Sequence, residues 1–373
     1  MVADQLAFTL IGKSATLGDL EITMKICFVV RSVYSQIPTY TTTHLAFEAQ
    51  RRGHTVAYTT VNSFSYGENG KLYATVAMPG EGPFPTRGAF LNGLKGEQSV
   101  RQEVCLSDFD AVFLRYNPNE TESEKDKSRN PALEFGRVLK MHGVLVVNDP
   151  SGLAKAASKM YLTSFPEEIR AKTLITRSPV KVKEFLRKLR KPAIIKPLSG
   201  FGGQDVFFIK DPKKEININQ IISTVAKNGY VIAQEYLPAV KKGDKRLLLL
   251  NGSPIFVGKQ AAMYRRMSPK GDIRSNMHVG GTRKPVEFTS VEAKIAEVIK
   301  PRLIADGLYF VGADIVGDKL LEVNVFCPGG INNINELYNI NVGQPVIEDL
   351  ERRVRLWKTH YRATDAGSIK AVG

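Results

Sequence analysis

The sequence predicts a mixed α/β (α+β) chain: an open α/β domain at the N-terminal end, then smaller sheets joined by glycine-rich loops. Three stretches lead to that reading. MKICFVVR, a helical run ending at Gly53, and HTVAYTTV open the chain as strand, helix, strand. PAIIKPLSGFGGQDVFFIK sets two strands around a glycine-dense loop. GLYFVGADIVGDKLLEVN, residues 307–324, reads as two short apolar strands on either side of a turn at Gly317-Asp318.

The bulk numbers bound the rest. A length of 373 residues suggests two or three domains with ample core. With 43% hydrophobic and 24% charged residues, the composition is that of a soluble globular protein. The net charge of +15, from 52 basic and 37 acidic residues, fits an anionic ligand and raises nucleic acid as a rival partner. The basic residues are spread through helices and loops without interleaved aromatics, which argues against nucleic acid. No apolar run reaches membrane-spanning length, so no membrane partner is expected. Cys27, Cys105 and Cys327 are widely spaced with no CxxC, and a reducing cytoplasm is the simple inference. Residues 1–23 lack a basic start and a small-residue cleavage site and read as an extension ahead of the strand opened by Met24.

In chain order, a helix is expected over 39–52, closed by Gly53, and a strand over 54–61. No Gly-rich fingerprint follows the first strand, so a dinucleotide site there is not expected. Residues 79–103 are rich in Gly and Pro and read as a loop or insertion. DAVFLRY is a buried strand, 117–131 a polar loop, 131–143 a helix closed by Gly143, and VLVVND a further strand, so the first domain spans 24–150. Arg115, Tyr116 and Asn117 fall at a strand's carboxyl end, where open sheets bind ligands, although a plain loop accounts for each as well.

A helix is expected over 151–165, a strand over 173–177, and a basic helix from Ser178 as N-cap with Pro179 in its first turn. AIIKP is a strand with Lys196 inside it, VFFIK its return strand, and SGFGGQ the loop between them. Three glycines in four residues let backbone N–H groups wrap a polyphosphate, and a strand lysine beside them can neutralise it; a plain β-turn fits the same residues. No Gly-Lys-Ser/Thr follows, so this is not a Walker A loop. YVIAQEYLP is a buried strand whose end can read an adenine edge, and GDKRLLLLNGSPI a hairpin with Asp244 and Arg246 at its entry. Residues 264–285, with Arg265, Arg266, Arg274 and Arg283, read as a long anion-facing loop. A helix leads from Ser290 back to 307–324. A loop over 325–343 is then expected to enter a final helix at 344–357, followed by an aperiodic tail at 358–373. The second and third bodies are placed at 151–230 and 231–357.

The 307–324 hairpin carries three hard oxygen donors, Asp314, Glu322 and Asn324. Glu322 and Asn324 are two apart and share a strand face. A two-residue turn at 317–318 would pair 314 with 321 and turn Asp314 away, whereas a three-residue loop would pair 314 with 322 and gather all three. Two carboxylates and an amide suit Mg²⁺; an amphipathic hairpin with a solvated polar face is the competing reading.

With these pieces in order, the chain resembles the ATP-grasp ligases, and among them the bacterial glutathione synthetases. The likeness runs from about Asn148 to Arg353 through NDPSGLAKAASKMYL, KPLSGFGGQDVF, AQEYLPAVKKGDKR, GDIRSNMHVGG and GLYFVGADIVGDKLLEVNV. It implies an ATP-grasp fold behind a pre-ATP-grasp α/β domain. The implied enzyme is a homo-oligomer that uses ATP and Mg²⁺ (or Mn²⁺) to join a small or short-peptide acid to an amine through an acyl phosphate. It further implies that Lys159, Lys196, Gly200, Gly202, Gly203, Gln234, Glu235, Leu237 and Asp244 bind nucleotide, that Arg246, Arg274 and Asn276 hold the transferring phosphate, and that Asp314, Glu322 and Asn324 hold the metal. The chain departs from the family pattern at LRYNPNE, residues 114–120, and at Cys327-Pro328-Gly329-Gly330 with Asn332 and Asn333. Both are places where the peptide substrate would be read, and the choice between γ-glutamylcysteine with glycine and another acid–amine pair stays open there.

Overall fold

The structure, a computed structural model, describes residues 23–116, 131–198, 205–227, 229–267 and 281–365. Three main sheets carry it, beside a two-stranded ribbon of β14 (Phe256–Val257) and β15 (Gln260–Ala261) and a short β13 (Ser253–Pro254) that pairs with the end of β12 (Asp244–Leu250). The first is built from β1 (Lys25–Val30), β2 (Thr55–Thr60), β3 (Phe64–Tyr66), β4 (Leu72–Met78), β5 (Val100–Cys105), β6 (Ala111–Leu114) and β7 (Leu145–Val147), in the order β3-β4-β2-β1-β6-β7 with β5 on β4. β1 lies parallel to both β2 and β6, and β6 to β7, because helices α1 (Thr41–Arg51) and α3 (Pro131–Met141) cross between them; β3, β4 and β5 form an antiparallel margin. The central strand is buried along five of its six residues, which is why it reads as an unbroken apolar run.

The second sheet contains β8 (Thr173–Thr176), β9 (Ala193–Pro197), β10 (Phe207–Ile209) and β11 (Val231–Glu235), in the order β10-β9-β11-β8. Helices α5 (Pro179–Leu189) and α6 (Ile218–Ala226) cover it, and Val182, Leu186, Ile195, Ile222 and Val231 form a core of its own. Ser178 caps α5 through its side chain to the Lys181 N–H. The third sheet is antiparallel: β17 (Thr282–Lys284), β16 (Met263–Met267), β12 (Asp244–Leu250), β18 (Phe310–Val316) and β19 (Lys319–Asn324) lie side by side in that order. Asn251 and Gly252 both take positive φ in the turn after β12, as an Asn-Gly hairpin requires.

The first and third sheets share one core, in which Phe28, Tyr58 and Phe113 meet Phe310, Ile331, Val346 and Leu350. Asn148, just after β7, is buried and clamps the two: its amide donates to the Phe310 and Val325 carbonyls at 2.9 and 2.7 Å and accepts from the Phe310 N–H at 2.7 Å.

Five expectations need correction. Residues 79–103 are not a loop: Thr86 caps a nine-residue helix, α2 (Arg87–Lys95), and β5 follows. Gly and Pro at its borders hide the helix, and β5 exposes four of its six residues, so it lacks an apolar rhythm. The helix expected over 151–165 breaks into α4 (Pro150–Lys155) and a tighter turn at Lys159–Ser164 capped by Ser158. Both ends of the 264–285 stretch are strands, β16 and β17. The 325–343 stretch contains a helix, α8 (Ile331–Tyr338). The final helix, α9 (Gly343–Asp365), runs into the supposed tail, where Trp357 donates to the Gly143 carbonyl and Lys358 pairs with Asp110. The extension, the 117–130 loop and the tail beyond 365 lie outside the described residues.

Candidate active site

The 307–324 hairpin turns on two residues and yet pairs Asp314 with Glu322. Val316 pairs with Lys319 and Ile315 with Leu320 around Gly317, whose φ is +60°; Leu321 is then the extra residue of a β-bulge, and pairing resumes at Asp314–Glu322 and Gly312–Asn324. Neither expected turn accounts for this alone: the bulge, not a longer loop, brings the three donors to one face. Asn324 confirms the face, donating to Asp314 Oδ2 at 3.1 Å.

On its other side Asp314 pairs with Arg246 of β12, and Asp244, two residues away, pairs with Arg266 of β16. All four are buried. Arg246 grips Asp314 through Nε and through Nη2 at 2.9 Å, and gives Nη1 to the Gly329 carbonyl at 3.1 Å. Arg266 bridges the two acids, with Nη2 2.7 Å from Asp314 Oδ2 and Nε 3.1 Å from Asp244 Oδ1. Burial alone would raise the Asp314 pKa, but the two guanidinium charges outweigh it and hold the carboxyl below its ordinary value. Glu322 behaves oppositely. Its side chain is exposed, but the protein packed around it and then the Asp314 charge raise its pKa.

Two lysines, one on the second sheet and one on the Lys159–Ser164 turn, act on the same carboxylate. Lys196 on β9 donates to Gln234 Oε1 at 3.0 Å, and Gln234 in turn donates to Thr173 Oγ1 at 2.9 Å. Lys159, at the start of the Lys159–Ser164 turn, donates to the Pro197 carbonyl at 3.1 Å. Burial and then the charge of Lys159 push Lys196 down to about 8, against the pull of Glu322. Burial also lowers Lys159. Cations held in so unfavourable a setting are poised for an anion.

Of the other expected site residues, Glu235 uses its carboxylate to accept from the Lys172 N–H at 2.8 Å, and Leu237 precedes the short turn Pro238–Lys242. Gly200, Gly202, Gly203, Arg274 and Asn276 lie outside the described residues. Of the arginines read as an anion-facing loop, the three described ones do other work. Arg265 donates to the Lys242 carbonyl, Arg283 binds Asn333 and Glu336, and Arg266 turns inward to the acids. Arg266, expected only as one of the anion-facing arginines of 264–285, is part of the site, and no local signal marks it because its partners come from other strands. Arg115 is a buried clamp, donating to Thr42 Oγ1 at 3.0 Å and to the Pro328 carbonyl at 3.1 Å. The loop that departs from the family pattern is thus held by the first domain.

The sequence matches the prokaryotic glutathione synthetase N-terminal domain over residues 24–154 and the ATP-grasp domain of the same family over 158–339. Glutathione synthetase of Vibrio parahaemolyticus is 32% identical over 316 residues, covering 83% of this chain and 92% of the relative. That of Synechocystis is 32% identical, covering 88% of this chain and 100% of the relative.

The chain belongs to the prokaryotic glutathione synthetase family.

As a glutathione synthetase family member it is an ATP-grasp ligase, an enzyme that forms an amide bond. Solved structures agree on the fold: D-cycloserine synthetase superposes with a TM-score of 0.57 at 16% identity over 87% of this chain and 99% of that one. The D-Ala:D-Ser ligase of Enterococcus faecalis gives 0.54 at 14%, over 87% and 98%.

Proposed function

We propose that this ligase makes glutathione, joining γ-glutamylcysteine to glycine as ATP becomes ADP and phosphate. The peptide carboxylate takes the γ-phosphoryl group and ADP leaves. The glycine amine then displaces phosphate from the acyl phosphate and gives up a proton, leaving the amide. The observation that carries this reading is the single sheet face that gathers Asp314, Glu322 and Asn324 under Lys159 and Lys196.

The donor set fits a hard divalent ion: two crowded carboxylates, one of them raised by its enclosed setting and then by the charge of the other, and an amide beside them. Asp314, Glu322 and Asn324 would hold Mg²⁺, or Mn²⁺ in its place, and the bound ion supplies charge neutralisation on the phosphates. The chain does the rest. Arg246 and Arg266 keep Asp314 ionised and fix its direction. Lys159 and Lys196 take phosphate oxygens, and Gly200, Gly202 and Gly203 cover the β- and γ-phosphates with backbone N–H groups. Gln234, Glu235 and Leu237 present a strand end to adenine, with Asp244 behind it. Arg246, Arg274 and Asn276 hold the γ-phosphate and the acyl phosphate. The roles divide among three bodies, 24–150, 151–230 and 231–357, and the unpaired cysteines support a cytoplasmic setting.

A screen of ADP release over γ-glutamyl dipeptides against free amino acids tests the reading. The fastest turnover is expected with γ-glutamylcysteine and glycine, and none when either is omitted. The Cys327-Pro328-Gly329-Gly330 run favours a second reading, a different acid or amine, which the same screen would reveal as a different best pair.

A further inference from the structure

Arg87 opens α2 and reaches the junction of α1 and α8. Its Nη1 donates to His44 Nδ1 at 3.2 Å, and Asn335 Nδ2 approaches the same ring nitrogen at 3.4 Å. On the far side of the ring, His44 Nε2 faces Asn332 Oδ1 at 3.1 Å. Donors on one nitrogen and an acceptor on the other are satisfied by the neutral imidazole with its proton on Nε2. Burial and then the Arg87 charge push His44 down to about 4, so the ring stays neutral. His44 therefore orients Arg87 without neutralising it. Among the described residues no carboxylate is within ion-pair distance of Arg87, and burial lowers its pKa against the pull of Glu336. Glu336 itself is paired with Arg283 and accepts from Asn332 at 2.9 Å. A half-buried guanidinium held by one hydrogen bond, with no carboxylate of its own, is set up for an external anion.

α8 ties this cluster to the active site. Gly330 precedes the helix, and a Cβ there would lie 3.6 Å from Arg246 Cγ and 3.1 Å from the Tyr264 ring. Glu336 is six residues further on, about 9 Å along the axis at a rise of roughly 1.5 Å per residue. The two carboxyl carbons of an extended γ-glutamyl dipeptide are seven bonds apart, about 8–9 Å. A dipeptide with its reacting carboxylate beside Arg246 thus has the length to set its amino-acid end at Arg87 and Glu336. That end is a zwitterion, and the cluster offers one cation and one anion around a neutral imidazole. We propose that Arg87 binds the α-carboxylate of the γ-glutamyl group and Glu336 its α-ammonium, so that the pair sets which acids this ligase accepts. The proposal rests on γ-glutamylcysteine being the acid substrate and adds the residues that recognise its far end.

The test is steady-state ADP release with saturating ATP and glycine, on wild type, Arg87→Met, Arg87→Lys and Glu336→Gln, with thermal unfolding as a check on folding. Three acids are compared: γ-glutamylcysteine, 4-aminobutyrylcysteine, which lacks only the α-carboxylate, and glutarylcysteine, which lacks only the α-amino group. Wild-type turnover of γ-glutamylcysteine checks the substrate reading by itself, and its absence would overturn that reading and this proposal together. Given that turnover, Arg87→Met should lose about 10–100-fold in kcat/KM with γ-glutamylcysteine, chiefly as a raised KM, and should leave 4-aminobutyrylcysteine at its wild-type value. Arg87→Lys keeps the charge and should recover part of the loss. Glu336→Gln should lose on γ-glutamylcysteine and not on glutarylcysteine. Equal losses on the acids with and without the matching charge, or wild-type kinetics in Arg87→Met, would overturn the proposal while leaving the substrate reading intact.

Discussion

Asp314 and Glu322 stand directly opposite each other on adjacent antiparallel strands, and the bulge at Leu321 puts them there. One of the two is held ionised by Arg246 and Arg266; the other has its pKa raised by its surroundings and by its partner. Glu322→Ala should therefore lower turnover by about 10²–10³-fold, the size of losing one electrostatic stabiliser. Because Glu322 is exposed and crowded by Asp314, its removal should change unfolding by no more than about 0.5 kcal/mol. Steady-state ADP release alongside urea unfolding separates the two effects.

Arg266 serves two buried acids at once. Arg266→Ala leaves Asp244 with an unpaired charge and Asp314 with half its compensation, and should destabilise the chain by about 3–5 kcal/mol. Arg266→Lys keeps the charge but has no fork to span both carboxylates, and should fall between the two in urea unfolding. Wild-type stability in Arg266→Ala would show that the bridge contributes little.

Lys196 predicts a proton count. Its usual value is 10.5 and the folded value about 8, so between these the unfolded chain binds the extra proton. Stability from this group therefore rises with pH across that window, and Lys196→Met should raise the unfolding temperature of the nucleotide-free protein at pH 7. Nucleotide phosphates favour the charged form. At pH 8.5 binding should take up a large fraction of a proton, read as a dependence of the calorimetric enthalpy on buffer ionisation, and Lys196→Met should remove that dependence.

Asn148 joins two sheets with three hydrogen bonds to main-chain groups. Asn148→Ala strands those groups in the shared core and should destabilise by roughly 2–4 kcal/mol. Loss of a single cooperative unfolding transition by calorimetry would show that the first and third sheets have uncoupled.

Much of this arrangement was legible in the residues. β1, β2, β6, β9, β11 and β18 are buried enough to read as apolar runs, and Ser178-Pro179 and Asn251-Gly252 have local chemistry that admits few alternatives. β5 escaped notice because an exposed edge needs no apolar alternation, and α8 because Gly329 and Gly330 at its entrance resemble a loop. At the site, the three donors on 307–324 were visible, but a bulge has no sequence mark when the extra residue is a leucine that can face either way. From sequence Arg266 reads as a ligand of external anions because its own partners, Asp244 and Asp314, are 22 and 48 residues distant in the chain. Long-range pairs of that kind come from sheet register, which the local pattern does not encode.

Manganese binding tests the central claim most directly. Mn²⁺ should be titrated into the protein with a non-hydrolysable ATP analogue and followed by electron paramagnetic resonance, in wild type and in Glu322→Gln. Losing a direct ligand should weaken the ion by more than the roughly 10–100-fold that loss of a supporting residue costs. Equal affinity in the two proteins would contradict a metal site on the Asp314–Glu322–Asn324 face.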